Sequence, residues 1–448
     1  MCVYFLEENN GKLRPFGSAR KWWLNKSLRA LESQIAETGG RLFLKRLTDR
    51  STEDVLLELC QSNDVKNVFW NRRYSSAEVE VDKGVKALLK SNSIEVETFN
   101  GNLLKEPWEV VTQSGSPYKV FTPFWNALKS DFSPSHPGEC SVLNFVSETK
   151  GEELVDWQLH PSKPDWSGGL EDAWIPGEEG AKQALDQFLE SGLEGYKDKR
   201  NRPDLPKTSR LSPHLASGEI SPHYIWSRTV EFIQNHSELE SDGWAFLREV
   251  GWRDFSYSLL FQSEDLASAN WNDKFDAFPW SDENKVLEDW QKGQTGYPIV
   301  DAGLRELWTT GWMHNRVRMI VASFLIKHLL IDWRVGEDWF WDTLVDADTA
   351  NNPASWQWVA GSGADAAPYF RIFNPITQGE KFDPEAEYIK KWVPELKKLP
   401  KKYIFQPWTT PKDIQSGCGV RIGSDYPKPI VDHPKARQRA LDAFESLK

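Results

Sequence analysis

Trp312-Met313-His314-Asn315-Arg316-Val317-Arg318-Met319 decides how the second half of this 448-residue chain is read. Hydrophobic periodicity over 312–330 is helical, and the stretch 319–331 is the most apolar of the chain although Lys327 and His328 interrupt it, so it reads as a buried helix. Asn315, Arg318 and Met319 lie three and four residues apart and therefore share a face. An amide, a guanidinium and a thioether together are odd for a core. They suit a pocket for a planar heteroaromatic ligand.

Working upstream, Thr295-Gly296-Tyr297-Pro298-Ile299-Val300-Asp301 leads into a helix over 299–310. In the helix over 243–261, Glu249, Trp252 and Arg253 stand at i, i+3 and i+4. That spacing allows two readings: a surface ion pair Glu249–Arg253 beside a core indole, or a carboxylate and a guanidinium lining a pocket with an aromatic wall. Earlier still comes Thr208-Ser209-Arg210-Leu211-Ser212-Pro213-His214-Leu215. Ser212 before Pro213 is a helix-start signal, with Ser as cap. The same hydroxyl-rich turn could cradle a phosphate on free N–H groups, although capping is the simpler explanation. Downstream, Asp346, Asp348, Asn351 and Asn352 crowd a loop that runs into Trp356-Gln357-Trp358. The loop lacks the Gly and Glu of a calcium-binding loop, so no metal is expected there. Further helices over 181–193, 224–235 and 337–344 make everything from about 176 to 448 all-α.

The first part is different. Strands over 2–6, 41–47, 65–70 and 93–99 alternate with helices over 19–38, 51–62 and 77–91, the second capped by Ser51 or Thr52. Such alternation predicts a parallel, Rossmann-like α/β domain over 1–105. The chain opens on a strand that belongs to the middle of such a sheet, and the strand and helix expected before it are absent. Residues 106–175, punctuated by Pro107, Pro117, Pro123, Pro134, Pro137, Pro161 and Pro164, read as a long connector.

Composition narrows the function. No apolar run reaches the ~20 residues that span a bilayer, no secretory signal is visible, and Cys2, Cys60, Cys140 and Cys418 are scattered, as reduced structural thiols of a cytoplasmic protein would be. A net charge of −12 argues against a nucleic-acid coat but not against a local basic patch. The 23 tryptophans exceed what core packing asks for and point to redox, chromophore or base-stacking work.

Taken in order, Thr208–Leu215, Thr295–Asp301, Met313–Met319, Trp356-Gln357-Trp358 and Phe370-Arg371-Ile372-Phe373-Asn374-Pro375 resemble the DNA photolyase/cryptochrome family over essentially the whole chain. Ala360–Ala366 and Lys327–Arg334 resemble its class III cyclobutane-dimer photolyases. The resemblance implies an all-α domain that holds FAD folded in a U. Tyr196 and the turn Thr208, Ser209, Arg210, Leu211, Ser212 would carry its pyrophosphate and ribityl chain. Arg253 and Asn315 would also line the cofactor, and Arg318 would sit over the ring. Asp346 and Asp348 would bond the polar edge and adenosine side, and Asn352 would face flavin N5. A neutral amide there accepts from N5–H and tolerates the anionic reduced flavin, whereas the aspartate of plant cryptochromes favours a protonated radical.

The implied substrate is a cyclobutane pyrimidine dimer flipped from UV-damaged DNA. Glu249 would share a proton with its carbonyl edge, and Trp252 and Trp358 would stack on it, with Asn315 and Met319 beside them. Arg316, Arg371 and Lys381 would contact phosphates. Trp356, Trp333 and Trp280 would relay electrons from the surface. Where the family's (6-4) relatives carry a second histidine after His314, this chain has Asn315, which favours the cyclobutane dimer. Two departures accompany the resemblance. The family's first strand is absent, for which truncation is the preferred explanation. The antenna half is therefore incomplete, which weakens the case for 5,10-methenyltetrahydrofolate. An iron–sulfur cluster is excluded for want of clustered cysteines. A cryptochrome-type photoreceptor is the main alternative, and a flavin-free nucleic-acid-binding protein the second. A monomer is expected.

Overall fold

The computed structural model describes residues 1–8, 13–135, 145, 149–263, 265–281, 284–366 and 370–447. Four strands open the chain: β1 (Cys2–Glu7), β2 (Leu42–Leu47), β3 (Asn67–Asn71) and β4 (Glu95–Phe99), alternating with α1 (Ser18–Glu37), α2 (Thr52–Ser62) and α3 (Ser76–Ser91). Thereafter the described residues form helices. These are α4 (Phe121–Ser130), α5 (Gly168–Ala173), α6 (Glu178–Gln187), α7 (Tyr196–Lys199), α8 (Ser212–Ser217), α9 (Pro222–Asn235), α10 (Glu240–Gln262), α11 (Asn284–Gln291) and α12 (Pro298–Thr310). They continue with α13 (Asn315–Ser323), α14 (Trp333–Thr343), α15 (Asn351–Ala360), α16 (Pro375–Phe382), α17 (Glu387–Trp392), α18 (Lys401–Ile404), α19 (Lys412–Cys418) and α20 (His433–Glu445).

The α/β alternation appears as expected, with one difference in the sheet. β1 pairs in parallel with β2 (Cys2 opposite Leu42), and β3 with β4 (Asn67 opposite Glu95), but no ladder joins β1 to β3 among the described residues. Each pair has its own core. Leu6, Leu42 and Leu44 pack with Leu28 of α1 and with Leu154 and Trp157. Val81, Val85 and Leu89 of α3 pack with Cys60 and the inner residues of β3 and β4. Ser51 caps α2 by accepting from the Asp54 amide. The connector is not wholly irregular. Residues 121–130 form α4 because Pro123 sits in the first turn, where a missing N–H costs nothing.

Packing divides the chain into two units. The first comprises Met1–Ser191, Ser209–Glu264 and Val345–Ala350; the second comprises Gly192–Thr208, Asp265–Leu344 and Asn351–Lys448. In the second, Phe275, Phe278, Leu330 and Phe370 pack with Ala440 and Ala443 of α20. The helix expected over 312–330 starts later. Gly311 ends α12 in the left-handed region (φ +66°), Trp312–His314 is not helical, and the His314 side chain caps α13 by accepting from the Arg316 amide. No helix among the described residues is long and apolar enough to cross a membrane.

Candidate functional site

In the first unit the turn expected to cradle phosphate has Arg210 in the left-handed region (φ +54°) followed by Leu211 in the right-handed one. Consecutive residues of opposite hand turn their backbone N–H groups to one side and form an anion-binding concavity. Ser212 is not the cap of α8. It is the first helical residue, and its Oγ donates to Asp346 Oδ2 at 2.6 Å. The helix therefore begins without a side-chain cap, because the hydroxyl is engaged by a carboxylate distant in sequence.

Asp348 accepts from Arg253 at 3.4 Å and from the Ala350 amide at 2.8 Å. Arg253 is buried in α10, reaches the Leu215 carbonyl of α8, and lies over the Tyr257 ring. Of the two readings of the Glu249/Arg253 face, the simple ion pair is thus replaced, since Arg253 pairs with Asp348. Burial tends to lower the Arg253 pKa, but Tyr257, Asp348 and Asp254 outweigh it and hold the guanidinium charged. Trp252 stacks on Phe121 of α4, with centroids 3.7 Å apart and planes within 12°. One face of its partly exposed indole is therefore covered, and a substrate ring can use only the other.

In the second unit Tyr196 is buried at the start of α7, and Thr208 is half-buried. On α13, Asn315 is exposed while Arg318 and Met319 are half-buried. Arg318 Nε donates to the Met313 carbonyl at 2.7 Å. Burial, then Arg316 and Arg318, push the His314 pKa down to about 4, so its ring is neutral and can act as the cap acceptor. Arg316 donates twice to Asn201 Oδ1, at 3.1 and 2.8 Å. Burial and the nearby cations Arg200 and Arg371 lower its pKa. Arg200 was not foreseen, and lying four residues beyond Tyr196 is the only sequence cue to it. Lys381 is exposed on α16. A group of like charges oriented by a neutral amide is suited to an anion.

Asn352 is buried, and its Nδ2 donates to both the backbone oxygen (3.1 Å) and Oε1 (2.7 Å) of Glu337. Both amide hydrogens are thereby used, which orients the side chain and leaves Oδ1 as its acceptor. Glu337 was missed by sequence reasoning, since nothing in a single sequence marks a carboxylate as buried. Trp356 is buried in α15 with its ring against Gly336 of α14, where a Cβ would meet it at 2.2 Å. Gly336 is one turn beyond Trp333, which is fully buried and donates from Nε1 to Asn270 Oδ1 at 2.9 Å. Trp280 is half-exposed and packs on Phe278, and the next amide, Ser281, donates to Leu330. Trp356 and Trp333 are thus both buried, and of the three only Trp280 is partly exposed. Trp358 donates to the Asp365 carbonyl at 3.0 Å.

The donor set of the first unit fits a dinucleotide: an anion-binding turn, a hydroxyl, two carboxylates held in place and one buried guanidinium. Among the described residues no group of three or more His, Cys, Asp or Glu is placed to hold a metal ion.

Comparison with known proteins agrees. Residues 1–141 match a family model described as DNA photolyase, and residues 246–446 match the FAD binding domain of DNA photolyase. The chain is 50% identical to the deoxyribodipyrimidine photo-lyase of Agrobacterium fabrum strain C58, covering 100% of this chain and 92% of that protein. It is 35% identical to Cryptochrome-1 of Arabidopsis thaliana, covering 98% of this chain and 65% of the plant protein. The crystal structure of a bacterial class III photolyase from Agrobacterium tumefaciens superposes with a TM-score of 0.95 at 50% identity, covering 100% of this chain and 92% of that one.

Proposed function

The chain belongs to the DNA photolyase/cryptochrome family, and on that footing we propose that it is a deoxyribodipyrimidine photo-lyase, an FAD enzyme that splits cyclobutane pyrimidine dimers of UV-damaged DNA in light. Bound FAD, reduced and light-excited, supplies the electron that opens the cyclobutane ring and takes it back.

The residues of this chain have distinct parts in that reading. The opposite-handed pair Arg210–Leu211, with Ser209 and Ser212, holds the pyrophosphate. Asp346 and Asp348, fixed by Ser212 and Arg253, bind donors of the cofactor. Arg318 lies against the flavin ring, and Asn352 offers Oδ1 at its N5 edge because Glu337 has taken both amide hydrogens. Glu249 holds a proton at the dimer's carbonyl edge, and the uncovered face of Trp252 stacks on it together with Trp358. Arg200, Arg316, Arg371 and Lys381 take phosphates. Trp280, Trp333 and Trp356 relay electrons. In this reading residues 1–105 are the antenna-type domain, 106–175 the connector and 176–448 the catalytic domain of a monomeric cytoplasmic enzyme. Its antenna is 5,10-methenyltetrahydrofolate, supported by the resemblance alone and tested by pterin fluorescence of the acid-released chromophore.

The Asn352–Glu337 geometry is the observation that carries repair over photoreception, because a fixed amide acceptor tolerates fully reduced flavin. The test is repair of a dimer-containing oligonucleotide under blue light against a dark control. Flavin that photoreduces normally in a chain that restores no thymines would move the assignment to a photoreceptor.

A further inference from the structure

We infer that Arg20, on α1 of the α/β part, is a positioning residue for the flavin half-site of the first unit. The inference rests on the flavoenzyme reading above. Arg20 is 8% exposed and lies far in sequence from every residue of that half-site. Its guanidinium nevertheless donates to Ser217 Oγ at 2.7 Å, to the Ala216 carbonyl at 3.2 Å and to the Val345 carbonyl at 3.1 Å. The first two acceptors end α8, where exposed carbonyls carry the negative end of the helix dipole. The third is the residue before Asp346.

These contacts close a ring. α8 begins at Ser212, whose hydroxyl donates to Asp346, and ends at Ser217, where Arg20 holds it and Val345 together. The anion-binding turn enters one side of the ring, and the carboxylates Asp346 and Asp348 leave the other. A buried guanidinium bonded to two carbonyls and a hydroxyl is a costly way to fill space, since an apolar side chain would pack without desolvating a charge. What an apolar side chain cannot do is fix two separate segments at once through a planar fork. Burial lowers the Arg20 pKa, while Tyr4, Glu219, Asp348 and Asp346 act in the opposite direction, so the two flavin-site carboxylates themselves help keep it charged. α1 is anchored independently. Trp23 Nε1 donates to Glu219 at 2.9 Å, and Glu219 also holds His214 of α8. Loss of Arg20 therefore leaves α1 docked and unties Val345 from the C-terminal end of α8, while Asp346 and Asp348 keep their bonds to Ser212 and Arg253.

The experiment is FAD titration of the purified, flavin-stripped full chain, read by quenching of flavin fluorescence and by visible circular dichroism, with thermal midpoints measured without FAD. Arg20→Met keeps the stem and loses the fork. Leu89→Ala, in the fully buried core of α3, destabilises the same unit away from the ring. Arg20→Met is expected to raise the FAD Kd tenfold or more and to change the dichroism of any bound flavin. Leu89→Ala should lower the midpoint and leave Kd within twofold. Arg20→Lys, which keeps the charge and reaches fewer acceptors, should fall between wild type and Arg20→Met. Arg20→Met within twofold of wild type would overturn the inference, as would Kd changes that simply follow the midpoints in both variants. Should Arg20→Met not accumulate, Arg20→Lys decides: a Kd raised threefold or more at an unchanged midpoint supports the inference, and any other result overturns it. A wild-type chain that binds no FAD would instead defeat the flavoenzyme reading.

Discussion

Replacing Trp333 with Phe separates electron relay from packing, two roles that burial alone would merge. The indole is fully buried, its N–H donates to Asn270, and the Arg334 guanidinium lies 4.8 Å from its centroid. Phe keeps one ring. The lost apolar area and the void behind it cost roughly 1–1.5 kcal/mol. Asn270, partly exposed and with its amide on Asp276 at 2.7 Å, exchanges the indole N–H for water, at about 1 kcal/mol for the lost hydrogen bond. The total is roughly 2–2.5 kcal/mol, which lowers the melting midpoint by roughly 4–10 °C. Flavin photoreduction by an external reductant should fall by an order of magnitude or more, since a phenyl ring is far harder to oxidise than an indole. Repair by enzyme reduced chemically beforehand should survive, because that route bypasses the relay. The assay is this pair of measurements on one variant. Loss of both activities would make Trp333 structural or part of the repair step, and loss of neither would place the relay elsewhere. Either result refutes the reasoning.

Asn352→Asp sets a carboxyl against Glu337 Oε1, 2.7 Å from the present amide nitrogen, so one of the two acids must hold a proton. FAD should stay bound while its full photoreduction slows about tenfold, and an unchanged rate in the bleaching of flavin absorbance would remove Asn352 from the N5 edge. DNA affinity should fall with salt along a shallow slope, and Arg316→Ala should reduce that slope by about 1; salt-independent binding would sink the phosphate assignments. His314 takes up its proton near pH 6.5 unfolded but near about 4 folded, so between these values the unfolded chain carries more protons and stability rises with pH. On the order of 3 kcal/mol should be lost as pH falls through that window. Denaturation of wild type against His314→Asn, whose side chain can still cap α13, should show the wild-type slope flattened in the variant.

Local signals carried most of the fold. Ser51 with Glu53 and Asp54 marked the start of α2, and the alternating apolar runs marked all four strands within two residues. What escaped depended on partners far away in the chain. The break before α13 was signalled by Gly311, but apolar Trp312 and Met313 masked it. Ser212 read as a cap because its acceptor, Asp346, lies 134 positions on. Helical spacing left Arg253 open to two readings, partner of Glu249 or pocket lining, because its actual partner Asp348 lies 95 positions away. The stack of Phe121 on Trp252 joins a presumed loop to a helix, which periodicity cannot anticipate. Residue types at the site were legible. Their orientations, set by Glu337, Arg20 and Asn201, were not.

The segmented make-up of the first unit governs the order in which a ribosome can finish it. The chain passes from one unit to the other five times, and the last piece of the first unit is Val345–Ala350. At ~5–20 residues per second, Asp346 follows Ser212 out of the ribosome by roughly seven to twenty-seven seconds, and Val345 follows Arg20 by up to about a minute. Through that interval the guanidinium of Arg20 lacks its Val345 acceptor and the hydroxyl of Ser212 lacks Asp346. On the proposed assignment of the cofactor site, loading is thereby a late event in the life of each molecule. On that assignment a nascent chain stalled before Val345 carries the proposed phosphate turn without its carboxylates, and flavin supply should not rescue it.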